Sequence, residues 1–228
     1  MIYLNKMSYS LKKNLNLSLL ILSLLLISCS KNNSQTVEYN DNYSIEKGGS
    51  LVNAMIGEPS NLIAMIAGDS ASSAIAGNIF NSLIKYDEKL NHAPELAEKW
   101  EISADQKTIT FTLKDNLVWA DGTPLTSEDV LFTWKLVTDP NTRTPYASDY
   151  LLVKKATTPD KNTFEVTYEE TYAPAIDTWA SLHILPKHLL KDEDINNTYF
   201  SRKPTGSSYY QLDKCCLLYT SPSPRDPI

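Results

Sequence analysis

The chain has 228 residues, of which 42% are hydrophobic and 10% aromatic, so it can bury a core and is not wholly disordered. It carries 27 acidic against 21 basic residues, a formal charge of −6, which argues against a general nucleic-acid binder. Its three cysteines cannot form a disulfide framework. We therefore expect an acidic globular protein of one or two domains that binds no nucleic acid.

Residues 1–28 are predicted to be an export signal. Three lysines precede an apolar run from Leu17 to Ile27, which has the length of a signal-peptide core. The run is too short for a spanning helix, which needs about 20 apolar residues. Ser28 and Cys29 follow, an order similar to a bacterial lipobox. This similarity implies cleavage before Cys29 and a lipid anchor on its sulfur, whereas the alternative is an ordinary signal peptide with a chance cysteine.

Two further segments are predicted to lie outside the folded part. Residues 29–47 are polar and rich in asparagine, which is typical of a flexible tether. Residues 215–228 begin with Cys215 and Cys216 and contain a Ser-Pro-Ser-Pro run, and they resemble translated sequencing adaptor. We predict that 215–228 is a non-native tail on a truncated protein, and the alternative is a genuine proline-rich tail. The folded domain is then 48–214.

Four elements are predicted in the first half of this domain. Leu51–Ile56 is a short apolar run that favours a buried strand. Residues 70–83 have apolar positions at helical spacing, and Pro94 can open a short helix through Lys99. Residues 108–113 alternate threonine with apolar side chains, which predicts a strand that pairs with 100–102 across the turn 104–107.

The second half begins with the clearest helix signal. Thr126 can cap a helix, and Asp129, three residues later, can complete a capping box. The apolar stripe of this helix ends before Asp139-Pro140. Residues 163–168 form a second alternating strand, and Pro186–Lys191 starts a short helix. Hairpins interspersed with helices predict a mixed α/β, or α+β, fold class.

No motif demands an enzyme. The three histidines, His92, His183 and His188, do not have metal-ligand spacing, so surface or capping roles are expected for them. The chain contains no G-x-S-x-G elbow, no G-x-G-x-x-G loop and no Walker loop. We expect no catalytic, cofactor or metal site.

An ordered set of motifs resembles the bacterial extracellular solute-binding proteins of family 5, the peptide-binding components of ABC importers. The resemblance covers about Gly49 to Leu212. It rests on the segments Pro94–Ser103, Thr108–Lys114, Trp119–Val130, Thr163–Val166, Ile184–Leu189 and, more weakly, Lys203–Gly206. Relatives usually read Gly-Thr-Gly-Pro-Tyr at the last segment, whereas this chain has Ser207-Ser208 in place of Gly-Pro, which puts the geometry of that loop in doubt.

The resemblance implies a type II periplasmic-binding-protein-like fold, of which this chain would hold the first lobe with its attached subdomain only. Residues 49–65 and 176–213 would belong to the lobe, and about 66–175 would form the inserted subdomain. Ligand contacts are implied in the loop after the first strand. That loop contains the candidate ligand-binding residues Gly57, Glu58, Pro59 and Ser60.

The implied function is a monomeric, lipid-anchored receptor in the cell envelope, on its periplasmic or extracellular face. It would deliver peptides to ABC permease subunits. The same family also carries nickel complexes, haem, opines and sugars, so a non-peptide solute is the first alternative. An exported lipoprotein enzyme or structural module is a second alternative, and a fragment that binds nothing by itself is a third.

Overall fold

The computed structural model describes residues 57–213 together with Gly49 and Met55. The predicted signal peptide, Cys29, the tether, the 215–228 tail and nearly all of the strand expected at 51–56 therefore lie outside the described residues. Within the described part, no helix has both the length and the hydropathy needed to span a membrane.

Twelve elements are described, and the longest has 12 residues. In chain order they are α1 (Ser70–Ile79), β1 (Ile84–Tyr86), β2 (His92–Pro94), β3 (Ala97–Ile102), β4 (Thr108–Leu113), α2 (Ser127–Thr138), α3 (Ala147–Tyr150), β5 (Val153–Asp160), β6 (Thr163–Tyr168), α4 (Ala175–Ser181), α5 (Lys187–Leu190) and a 3₁₀ turn (Tyr199–Ser201). This mixture confirms the α+β class.

Strands β3 to β6 form an antiparallel sheet in the order β3-β4-β6-β5. The alternation of the sequence decides which face is buried, because successive side chains of a strand point to opposite faces. Phe111 of β4 is buried and lies opposite Phe164 of β6 and Trp100 of β3. The predicted strands 108–113 and 163–168 and the hairpin to 100–102 are confirmed.

The β5 edge of this sheet is irregular. The register of β5 against β6 shifts between Val153 and Lys155 and again between Thr157 and Asp160. Lys154 and Lys155 are exposed, and Pro159, near the end of the strand, has no N–H to donate. The other two strands, β1 and β2, form a separate antiparallel pair.

Helix α4 supplies the centre of the core. Trp179 is fully buried, and its ring centroid lies 5.1 Å from Phe164 and 5.9 Å from Tyr150. Its Nε1 donates to the Tyr168 hydroxyl at 3.0 Å. The buried cluster runs from Ile63 to residue 200, so the parts predicted as subdomain and lobe share one core within the described residues. The boundary between them stays a prediction.

The short helix predicted at 94–99 is wrong. The chain there runs through β2 and into β3, because it pairs with β1 and β4 and also bonds the residues just before β1. Ala97 N donates to Leu83 O at 2.8 Å, and the Glu95 carboxylate accepts from Ser82 N at 2.8 Å. Pairing with neighbouring chain therefore overrides the helix-starting preference of Pro94.

The other helix predictions are confirmed, one of them with an earlier end. Helix α1 stops at Ile79 instead of residue 83, since Phe80 is already extended. Helix α2 begins after Thr126, whose N–H donates to the Asp129 carboxylate at 2.9 Å, the reciprocal half of a capping box. The short helix expected at 186–191 is α5.

Candidate ligand-binding site

The candidate loop 57–60 divides into an exposed part and an anchored part. Gly57 has a φ of +99°, a conformation that favours glycine, and no heavy atom lies within 4 Å of the position a Cβ would take there. Glu58 is exposed, and no hydrogen bond or ion pair of its carboxylate is found in the described part of the chain. Pro59 is buried, and the Ser60 hydroxyl donates to the Asp69 carboxylate at 2.5 Å.

Asp69 connects the loop to α1. As the N-cap of that helix, it accepts from Ser72 N and from the Ser72 hydroxyl, each at 2.7 Å. The hydrogen bonds from Ser60 and Ser72 hold the pKa of Asp69 far below its usual value. An ionised Asp69 therefore fixes the position of Ser60. The position of Ser60 in turn restricts the direction of the chain at Gly57 and Glu58.

The next residues tighten the same anchor. Asn61 N donates to the Ser72 hydroxyl at 3.3 Å, and the Asn61 side chain accepts from Ile63 N at 2.8 Å. Leu62 N donates to Ser201 O at 3.1 Å. The structure thus leaves Gly57 and Glu58 exposed, while Pro59 and Ser60 attach the loop to the domain. That these four residues contact a ligand stays a prediction.

The segment around Gly206 packs against the other end of α1. Ser207 N and Ser208 N both donate to Ile79 O, at 3.0 and 2.9 Å. A Cβ on Gly206 would overlap the same oxygen, so only glycine fits. Asn81 N also donates to the Ser207 hydroxyl at 3.1 Å. Ser207 and Ser208 therefore build a defined loop, and their N–H groups bind the carbonyl at which α1 ends.

A buried polar cluster joins α2 to the segment before α5. The Asp129 carboxylate accepts from Lys187 N at 3.0 Å, in addition to its bond from Thr126 N. Burial raises the pKa of Asp129, although both N–H groups favour its charged form. Thr133 donates to Asp129 O at 2.8 Å and accepts from Leu185 N at 2.9 Å. This cluster fixes the position of α5.

Two of the three histidines form pairs with aspartates on the surface. His92 Nε2 lies 2.7 Å from Asp177, and His188 Nε2 lies 2.8 Å from Asp121. The imidazole of His183 lies near Gly77 of α1, and burial lowers its pKa. Within residues 57–213 no three or more His, Cys, Asp or Glu side chains converge as metal ligands would.

Sequence reasoning missed the residues that position the loop. Asp69 is nine residues from Ser60, and Asn81 is 126 residues from Ser207. The Asp-Ser-x-Ser pattern at 69–72 is an N-cap signal, but nothing in the pattern indicates that its carboxylate also binds Ser60.

The described fold is that of type II periplasmic binding proteins. The oligopeptide-binding protein AppA of Bacillus subtilis, solved with a nonapeptide, matches 68% of this chain and 32% of its own chain, with a TM-score of 0.64 and 28% identity. The structure of NikZ from Campylobacter jejuni with Ni(L-His) matches 70% of this chain and 32% of its own, with a TM-score of 0.64 and 25% identity.

Residues 91–216 match the family described as "Bacterial extracellular solute-binding proteins, family 5 Middle". The chain belongs to this family, as its motifs predicted. It is 37% identical over 115 residues to the periplasmic oligopeptide-binding protein OppA of Salmonella typhimurium, which covers 43% of this chain and 21% of OppA. It is 41% identical over 87 residues to a dipeptide-binding protein of Lactococcus lactis, covering 38% of this chain and 16% of that protein. The chain thus spans about a quarter or less of the length of such relatives.

Proposed function

We propose that this chain is part of the extracytoplasmic substrate-binding lipoprotein of an ABC importer, which binds peptides or oligopeptides and delivers them to a membrane permease. The observation that carries the proposal is membership of family 5, with relatives named for oligopeptide and dipeptide binding. The protein acts as a monomer and binds its solute without chemical change. It works in the cell envelope, on the periplasmic or extracellular side of the membrane.

The loop 57–60 is proposed to contact the solute. Its exposed backbone at Gly57 can hydrogen-bond an extended peptide, a mode of recognition that tolerates many side chains. Residues 57–84 contain two acidic residues, Glu58 and Asp69, and no lysine or arginine. Asp69 is already occupied by Ser60 and Ser72, so Glu58 is the carboxylate available to pair with a peptide ammonium group.

Solute binding is proposed to close two lobes. The described residues supply one side of the cleft, and the second lobe lies in the further length over which relatives extend. A solute that touches both lobes stabilises the closed form by its extra contacts, and the permease then receives that form.

The peptide proposal is tested by thermal unfolding of the complete gene product with a library of di- to pentapeptides. A bound peptide raises the Tm because it binds only the folded state, by RT ln(1 + [L]/Kd) in free energy. A library without any peptide that shifts the Tm contradicts the peptide assignment and leaves the receptor class intact.

The role of Glu58 is tested by Glu58→Gln in the same complete protein. We expect the Kd for a peptide with a free amino terminus to rise about tenfold or more, as for loss of a charge-assisted hydrogen bond. The matched control is Glu88→Gln, which removes another exposed loop carboxylate and leaves the Kd unchanged. If N-acetylated and free peptides lose equal affinity in Glu58→Gln, Glu58 does not bind the ammonium group.

Lipid anchoring is proposed at Cys29. The expected mature protein carries a diacylglyceryl group, and Cys29→Ser removes it. The measurement is intact mass together with partition into detergent. Unmodified, soluble wild-type protein would contradict the anchor.

A non-peptide solute is the second candidate. Two structures similar to this chain favour it by their ligands, NikZ with Ni(L-His) and AgaA of A. tumefaciens with agropinic acid. The same thermal assay with nickel–histidine and opines discriminates the two candidates, because only the true solute raises the Tm in proportion to the logarithm of its concentration.

A further inference from the structure

The segment between α2 and β5 exposes three large apolar side chains. Tyr146, Leu151 and Leu152 are 40%, 61% and 50% exposed. Tyr150 points the other way, since it is buried and its hydroxyl donates to Thr178 O at 3.1 Å. This inward anchor holds α3 against the core and keeps its apolar neighbours on the surface.

Basic residues flank these apolar side chains. Arg143 precedes them, Lys154 and Lys155 follow them, and all three are exposed. Within residues 143–155 the only acid is Asp149, although the whole chain has a net charge of −6. The segment is therefore a local basic and apolar surface on an acidic protein.

Two acidic residues outside the segment lie near its basic residues and offset part of this charge. The Glu169 carboxylate lies 3.4 Å from Lys154 Nζ. Hydrogen bonds from Asn196 and Asn197 lower the pKa of Asp194, and the nearby charge of Arg143 lowers it further. The Lys154–Glu169 ion pair is largely exposed. Ion pairs of that kind contribute little to stability and are screened by salt, so Lys154 can exchange Glu169 for another anion at little cost. Lys155 has no ion pair among the described residues.

We propose that residues 143–155, here called the 143–155 patch, rest on the surface of an anionic lipid bilayer. Tyrosine and leucine enter the boundary between headgroups and acyl chains, while lysine and arginine pair with anionic headgroups. The inference rests on the lipid anchor proposed at Cys29. The 18 residues from 30 to 47 span at most about 60–65 Å when fully extended, so the anchor keeps the patch within reach of the membrane.

The test is amide hydrogen exchange of the lipidated full chain in vesicles. Vesicles of phosphatidylcholine with 30% phosphatidylglycerol are compared with pure phosphatidylcholine. We expect slower exchange within residues 146–155 on the anionic vesicles only. The double variant Leu151→Ser/Leu152→Ser abolishes this protection, and Lys154→Gln/Lys155→Gln weakens vesicle contact by about fivefold per lysine.

The matched control is Ile102→Ser/Val118→Ser, because Ile102 and Val118 are 51% and 54% exposed and lie outside the patch. This variant retains the protection if the inference is correct. Protection that survives the two leucine changes overturns the inference. Protection without vesicles at high protein concentration also overturns it, because the patch then contacts a second copy of the protein.

Vesicle flotation separates the patch from the anchor. Wild-type protein that floats with vesicles but shows no protection overturns the inference and leaves the anchor intact, whereas protein that does not float overturns both. Solute binding is not needed for any of these readings.

Discussion

Gly206 illustrates how a single residue can be fixed by a neighbour distant in sequence. A Cβ there would overlap Ile79 O and lie 2.5 Å from Ile79 Cγ2. The clash is with backbone, which cannot move without disturbing the end of α1. The contact with Ile79 gives the physical reason for a glycine at this position.

Gly206→Ala is therefore expected to lower the free energy of unfolding by about 1–3 kcal/mol, as for an overpacked site. The matched control is Gly68→Ala, because no heavy atom lies within 4 Å of the Cβ position there. The measurement is the urea midpoint of both variants at unchanged m value. Equal midpoints for the two variants would contradict the close approach to Ile79.

Asp69 makes a residue-scale prediction about pH. Its folded-state pKa is lowered, so its stabilising contribution is complete above the unfolded value near 3.8 and is lost as the pH falls below it. Asp69→Asn should therefore lower the Tm at pH 7 and flatten the dependence of Tm on pH below about 4. Glu98→Gln, a change of an exposed strand carboxylate, is the control and should preserve the wild-type slope.

At the scale of elements, sequence pattern predicted what local chemistry determines. The strands 108–113 and 163–168 alternate with period two, and α2 has its capping pair, so these elements could be recognised from residues close together in the chain. Strand β5, with the sequence VKKATTPD, has no alternation and forms because β6 offers a partner. Strands β1 and β2 have three residues each, too few for an alternating pattern to be recognised. The helix predicted at 94–99 is replaced by strand because neighbouring strands offer partners there as well.

The site divides in the same way. Family resemblance pointed to the loop 57–60, but its anchor depends on Asp69, a contact that no local pattern encodes. Likewise Ser207 and Ser208 replace an expected Gly-Pro, and only their distance to Ile79 O explains how the loop retains a defined form.

Thr133 tests how firmly α2 holds the segment before α5. Thr133→Val removes the acceptor of Leu185 N in a fully buried position, so we expect a loss of about 1–3 kcal/mol in the free energy of unfolding. The control is Thr138→Val on the same helix, since Thr138 bonds only carbonyls of its own helix. Chemical denaturation of both variants measures the difference, and equal losses would show that the bond to Leu185 contributes nothing.

At the scale of the whole molecule, the shared core limits how the chain can be divided. Trp179, Leu182, Ile184 and Leu185 all come from beyond residue 175, and each is buried in the cluster that contains the sheet. The predicted inserted subdomain, about 66–175, lacks all four.

A polypeptide of residues 66–175 alone is therefore expected to have no cooperative thermal transition, because it leaves the cavity of Trp179 open to water. A polypeptide of residues 57–213 should unfold in one transition. Calorimetry of the two proteins decides the matter, and a sharp transition of the shorter one would establish an autonomous subdomain.

The irregular β5 edge has a consequence for copies of the protein that meet one another. An open strand with regularly spaced N–H and C=O groups would let the sheet of one copy continue into the next. Two register shifts and Pro159 interrupt that spacing, and Lys154 and Lys155 place like charges on the two edges that would meet. Molecules crowded side by side thus meet edges that do not match, and polymerisation through this strand is disfavoured.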